Sequence, residues 1–133
     1  MNSGAYQLLI EINRKVKIQI GNLGKFTFEK GSYIYTGSAM KNLSQRVERH
    51  IRTNFRLNSK LHWHIDFLLS NKYVKITDIK FYQSNSKIEC QLNQELLKKN
   101  NIEIPVKKFG SSDCTQCPSH LLKFTQSPKF RKV

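Results

Sequence analysis

Apolar positions follow a two-residue period near the start of the chain, a four-residue period in the middle and a two-residue period again further on. Tyr6 to Ile12 (Tyr-Gln-Leu-Leu-Ile-Glu-Ile) is an apolar run bounded by Asn13-Arg14-Lys15, and Val16 to Ile20 alternates Val-Lys-Ile-Gln-Ile. The two predict strands joined as a hairpin. Gly21-Asn22-Leu23-Gly24 reads as a turn into a short strand at Phe26-Thr27-Phe28, and after the break at Gly31 a further strand runs from Ser32 to Thr36. Residues 1–37 therefore predict a small antiparallel sheet.

Leu43, Val47, Ile51 and Phe55 recur every fourth residue and mark the buried face of a helix over 43–55, with Asn42 as its N-cap. Arg46 and His50, one turn apart, lie at the edge of that face; Arg49 continues the flank, and Arg52 and Arg56 point to solvent. Residues 62–69 predict a second, short helix with Trp63 in the core. Val74 to Tyr82 predicts a strand with Ile76, Ile79 and Phe81 inward. Ser86 caps a third helix over 87–99, whose apolar line is Leu92, Leu96 and Leu97, and Glu89 shares roughly that face one turn earlier. Asn100-Asn101 ends it. Pro105 to Phe109 reads as a last strand, followed by the loop Gly110-Ser111-Ser112-Asp113-Cys114. The expected organisation is one α+β domain over 1–124 and a basic, mobile tail over 125–133.

Charge narrows the class of partner. Lys and Arg number 23 against 9 acids, a formal net charge of +14. Such a chain attracts polyanions and binds them with steep salt dependence, nucleic acid first and a ribosomal or membrane surface second. At 38% hydrophobic with eight Phe and five Tyr, it is not a disordered basic tail. No stretch approaches the roughly 18 apolar residues of a membrane span, and the N-terminus lacks the pattern of a signal peptide, so a cytoplasmic protein with no membrane partner is expected. Three cysteines, an odd number, argue against a secreted disulfide framework.

Two aromatic-glycine stretches carry the candidate chemistry: Gly4-Ala5-Tyr6 and Tyr33-Ile34-Tyr35-Thr36-Gly37. Tyrosines at strand ends, a glycine turn and a basic helix with Arg46, Arg49 and His50 outline a pocket for one phosphate. The order Gly-x-Tyr, Tyr-x-Gly, Arg, then a helix-borne Glu resembles the GIY-YIG nuclease superfamily. Gly37 to Arg46 is similar to the family's glycine-to-arginine stretch with one extra residue, placed at Met40, and Ala5 and Thr36 stand where the family has isoleucine. His50 follows Arg46 by four residues, where members often place His or Tyr. The segment from Ile88 to Leu97 resembles the helix that supplies a metal-binding glutamate. A closer resemblance is to a compact branch of unassigned function, related to domains joined to DNA-repair glycosylases. It rests on Tyr35-Thr36-Gly37-Ser38-Ala39, Trp63-His64-Ile65-Asp66, Glu89-Cys90, Phe109-Gly110-Ser111-Ser112-Asp113-Cys114 and Ser119-His120-Leu121.

The resemblance implies an antiparallel sheet of about three strands flanked by helices, and metal-assisted hydrolysis of phosphodiester bonds in DNA, branched or damaged DNA in repair included, with a DNA-repair protein as a partner. It implies Glu89 as ligand of one Mg²⁺ or Mn²⁺, a choice that suits a single carboxylate plus waters. Arg46 would neutralise charge on the phosphorane, where a guanidinium fits better than a point charge. Tyr6 or Tyr35 would take the proton from attacking water, which requires Arg46 and the metal to lower a phenol pKa from near 10; the sequence leaves the choice between them open. His50 would hold a phosphate or shuttle a proton. Gly37, Ser38, Lys41 and Arg49 are candidate phosphate contacts, and His64, Asp66 and Asp113 secondary candidates. Tyr33 is given a structural role.

Two rival readings remain. One is a non-catalytic nucleic-acid-binding module that keeps the fold. The other is a zinc-stabilised interaction domain: Cys114, Cys117 and His120, with Cys90 elsewhere, have the residue types of a Cys₃His site. Their spacing is compact but imperfect for zinc modules, and the favoured reading is a buried thiol at Cys90 and a cysteine-bearing loop.

Overall fold

β1 (Gly4–Ile12) is buried at every position but Glu11, which requires neighbours on both edges and cover on both faces. It lies between β4 (Gly31–Ala39) and β5 (Val74–Gln83), antiparallel to each. β7 (Leu121–Phe124) adds to the far edge of β4, and the two-residue β6 (Ile102–Glu103) closes that side. The result is a five-stranded antiparallel sheet in the order β5-β1-β4-β7-β6. The computed structural model describes residues 2–57, 60–99, 101–111 and 116–125.

The sheet is larger than the expected three strands, because β5, β6 and β7 come from beyond the aromatic-glycine segment. The expected hairpin of the first two strands is also corrected. β2 (Val16–Ile20) pairs with β3 (Gly24–Phe28) in a separate two-stranded sheet, joined by a single 3₁₀ turn at Gly21–Leu23. Both edges of β1 are already occupied, and the half-buried alternation of β2 suits a strand with one face covered. Pro105 to Phe109 forms no strand: Lys108 there has φ 69°, in the left-handed region.

Cross-strand register separates two cores. Tyr6 opposite Gly37, Leu8 opposite Tyr35 and Ile10 opposite Tyr33 share one face. Against it pack Leu43 and Val47 of α1 (Leu43–Asn54), Ile65 and Leu68 of α2 (His64–Leu69), and Ile18, Ile20 and Phe28 of the small sheet. Leu9 opposite Ile34 lies on the other face, where Phe124, Ile102 and Leu96 of α3 (Glu89–Leu97) cover it. Tyr33 is structural, its hydroxyl donating to the Glu29 carbonyl at 2.6 Å.

Several edge positions depart from expectation. Phe55 is 68% exposed and Phe81 47%, since the one follows the end of α1 and the other lies on an edge strand. Asn42 precedes α1 in a left-handed conformation (φ 58°) and makes no side-chain cap. The cap comes from Asn2, whose backbone oxygen accepts from Leu43 N at 3.1 Å and whose Oδ1 accepts from Ser44 N at 2.9 Å. α3 starts at Glu89 rather than 87, and Ser86 does not cap it; its N–H donates to Ser84 Oγ. The tail over 126–133 lies outside the described residues. Among the described residues, no helix is long and apolar enough to cross a membrane.

Candidate active site

At the end of β4 the two layers meet. Tyr6 and Tyr35 reach up from the sheet, Arg46 and His50 come from α1, Trp63 from the residue before α2, and Glu89 from the first residue of α3. With Gly37, Ser38 and Gly110 they line a cavity of about 210 Å³.

Its floor depends on two glycines. Gly37 sits directly across from Tyr6, and a Cβ there would stand 2.5 Å from the phenol oxygen. Gly110 has φ 67°, and a Cβ would come 2.9 Å from the Tyr35 ring. The missing Cβ atoms leave room for both rings beside His50. Ring centroids are 5.3 Å apart for Tyr6 and His50 and 6.3 Å for Tyr35 and His50. The Tyr6 hydroxyl is 2.6 Å from His50 Nε2, inside the protein.

The rim is cationic on one side and anionic on the other. The Arg46 guanidinium donates to the Ser38 carbonyl at 3.1 Å and stacks 4.7 Å above the Trp63 ring. Across from it Glu89 Oε1 accepts from Ser38 Oγ at 2.8 Å, while Oε2 lies 3.6 Å from His120 Nδ1. Ser38 therefore touches both charged groups, through its carbonyl and its hydroxyl. Among the described residues Glu89 is the carboxylate that lines the cavity, and its side chain is 24% exposed. One reachable carboxylate beside room for several waters fits a hard divalent cation.

The family described as domain of unknown function DUF123 matches residues 5–133. The chain belongs to the DUF123 family. No curated protein and no solved structure matches it.

Burial controls the protonation of this DUF123 site. It raises the Tyr6 and Tyr35 phenols well above their usual value; Arg46 pulls them down but is outweighed, and Glu89 adds to the rise. Burial lowers His50 to about 4, so the imidazole is neutral near pH 7 and can accept a proton from Tyr6. Its Nδ1 is buried with no hydrogen-bond partner among the described residues. The phenols of the ligand-free chain are therefore neutral: Arg46 by itself does not supply the lowering expected of Arg46 and a metal together.

Other sequence candidates stand around the cavity rather than in it. Arg49 is engaged by Asp66 Oδ1 at 3.0 Å and stacks over Trp63 at 4.7 Å. Asp66 is fully buried, and its Oδ2 accepts from the backbone N–H groups of His62 and Trp63. It thus orders the start of α2 and sets the aromatic wall on which both arginines rest. His64 Nδ1 accepts from Gly110 N at 2.9 Å and holds the glycine loop in place. Lys41 is exposed, two residues beyond β4. Asp113 and Cys114 lie outside the described residues. Trp63, expected in the core, is half-buried at the cavity wall. Gly110 was legible only as a loop glycine.

The cysteine-histidine group is closer than its spacing suggested. Cys90, Cys117 and His120 come together with ligand atoms within 4.8 Å of one another, close enough to hold a metal ion. Cys90 arrives from α3 and is half-buried rather than buried.

Proposed function

We propose that this DUF123 domain is a divalent-metal-dependent phosphodiesterase acting on DNA, of the kind its aromatic-glycine motifs resemble. The observation that carries this is the single cavity in which a tyrosine–histidine pair, a stacked arginine and a reachable carboxylate converge. A net charge of +14 supports a polyanionic substrate.

Arg46 would grip the scissile phosphate. Its stack on Trp63 and its bond to the Ser38 carbonyl fix the plane of the guanidinium before substrate arrives, so less entropy is lost on binding. The Tyr6–His50 pair makes Tyr6 the base in preference to Tyr35. A buried phenol does not ionise by itself near neutral pH, but water can pass its proton to the Tyr6 oxygen as the Tyr6 proton shifts along the 2.6 Å O–N hydrogen bond to His50 Nε2. The water oxygen then bonds to phosphorus, the bond to the leaving oxygen breaks, that oxygen takes a proton from solvent, and His50 returns its proton to solvent. Glu89 would hold Mg²⁺ or Mn²⁺. Bound there, the ion would polarise a phosphate oxygen, stabilise the leaving oxygen and offset the carboxylate charge that raises both phenols. Ser38 orients Glu89 toward the cavity through the Oγ–Oε1 bond.

The test is cleavage of nicked, branched and plain duplex DNA in Mg²⁺ or Mn²⁺ by wild type, Glu89→Gln and Tyr6→Phe. Metal-dependent cutting that falls at least about 100-fold in each variant is expected, the scale of losing general-base or charge stabilisation. Salt-sensitive DNA binding without cutting, unchanged in Glu89→Gln, would support the non-catalytic module instead.

A further inference from the structure

Next to Glu89 lies the group formed by Cys90, Cys117 and His120. Cys117 and His120 are buried in the approach to β7, and Cys90 is the second residue of α3. His120 Nε2 is 3.8 Å from Cys90 Sγ. Its other nitrogen, Nδ1, is buried without a hydrogen-bond partner among the described residues and faces Glu89 Oε2 at 3.6 Å.

We infer that Cys90, Cys117 and His120 bind a Zn²⁺ ion that fixes, through His120, the carboxylate lining the cavity. The site is distinct from the Mg²⁺ or Mn²⁺ position at Glu89, and its occupancy does not depend on whether the domain cuts DNA. Two sulfurs and an imidazole select a thiophilic ion over a hard one. Zn–S bonds of about 2.3 Å and Zn–N bonds of about 2.0 Å give tetrahedral edges of about 3.6–3.8 Å. The Cys90–His120 separation already matches, and an outer limit of 4.8 Å asks for about 1 Å of contraction at most.

The buried Nδ1, facing Glu89 but without a hydrogen bond among the described residues, is the independent pointer. Zinc at Nε2 places the remaining ring proton on Nδ1, which then donates to Glu89, the carboxylate–histidine–zinc arrangement that orients metal ligands generally. The two thiols release their protons to solvent on binding, so affinity rises with pH. The ion would also tie the start of α3 to the segment before β7, two elements 27 to 30 residues apart, and so hold Glu89 in register with Ser38.

Zinc content and Co²⁺ spectra of the reduced full chain test this. One zinc per chain is expected, with Co²⁺ giving tetrahedral d–d bands and a thiolate-to-cobalt charge-transfer band. Cys90→Ser and His120→Asn should each weaken zinc affinity at least tenfold, with unchanged far-ultraviolet circular dichroism. Because the wild-type spectrum stands apart from any variant, a variant that fails to fold leaves the test intact. Reduced wild type that takes up no zinc, or binds Co²⁺ without a sulfur band, would overturn the proposal. So would a folded Cys90→Ser with undiminished zinc affinity. Loss of DNA cleavage with zinc binding intact would instead count against the phosphodiesterase reading alone.

Discussion

Gly37 faces Tyr6 across the β1–β4 pair so closely that a single added methyl would meet the phenol oxygen at 2.5 Å and its ring carbon at 2.6 Å. Tyr6 is 2% exposed, and its hydroxyl is held by His50, so the ring has little freedom to yield. The Gly-x-Tyr and Tyr-x-Gly motifs are thus two halves of one contact: a glycine on one strand makes room for a tyrosine on the other. Gly37→Ala is expected to cost about 1–3 kcal/mol, the usual range for overpacking a core, read as a lower midpoint in urea at unchanged slope. A midpoint equal to wild type would mean that Tyr6 moves aside freely.

Histidine burial sets an acid limit on stability. The His50 value falls from 6.5 to about 4 on folding, so the unfolded chain takes up the proton first as pH drops. Its stabilising contribution is complete above pH 6.5 and is lost as pH falls toward 4, with a size of about 3 kcal/mol. His64 and His120 are also lowered by burial and act in the same sense. His50→Gln, which can still accept from Tyr6, should flatten the stability profile between pH 6.5 and 4. Equal pH slopes of the urea-derived stability of the two proteins would show that His50 does not change its proton affinity on folding.

Asp66 is the buried anchor of the cavity wall. Removing its carboxylate strands two backbone N–H groups and takes from the Arg49 guanidinium its carboxylate partner. Asp66→Ala should cost about 3 kcal/mol or more, in line with breaking a buried pair from one side. It should also free Trp63, seen as a red-shifted fluorescence maximum. Asp66→Asn keeps part of the N–H acceptance and should cost less. A fluorescence spectrum unchanged by Asp66→Ala in the folded protein would contradict the anchoring role.

Asn2 caps α1 from a distance in sequence of more than forty residues, a role expected of Asn42. Asn2→Ala should lower stability by about 1 kcal/mol, while Asn42→Ala should act through backbone strain at its positive φ and Asn42→Gly should be tolerated. Thermal melts of the three variants separate the two effects; a cap function at Asn42 would reverse the order.

The helices and most strands were legible because each buries one face: the four-residue period of Leu43, Val47 and Ile51 and the alternation of Val16 to Ile20 read directly. Pairing was not. Nothing local in Tyr6 to Ile12 says that both its edges are filled by segments about 30 and 70 residues away, so the adjacent β2 was the natural but mistaken partner. β6 and β7 are too short for any period to show. Among site residues, the motif order named Tyr6, Tyr35, Arg46, His50 and Glu89, and all five line the same cavity. Arg49 and Asp66 were named individually, yet that they bond to each other depends on how α1 meets α2. Trp63 and His120 became visible as neighbours of Arg46 and Glu89 only in three dimensions, because side-chain stacking and a contact across two elements leave no periodic trace.

The central claim is that Glu89 and Arg46 hold a metal ion and a phosphate against Tyr6. Anomalous diffraction from crystals of Tyr6→Phe soaked with Mn²⁺ and a short DNA duplex addresses it most directly. A manganese peak bonded to the Glu89 carboxylate, with a backbone phosphate held by Arg46 and facing position 6, is the expected result. DNA bound elsewhere on the basic surface, with no manganese at Glu89, would contradict it.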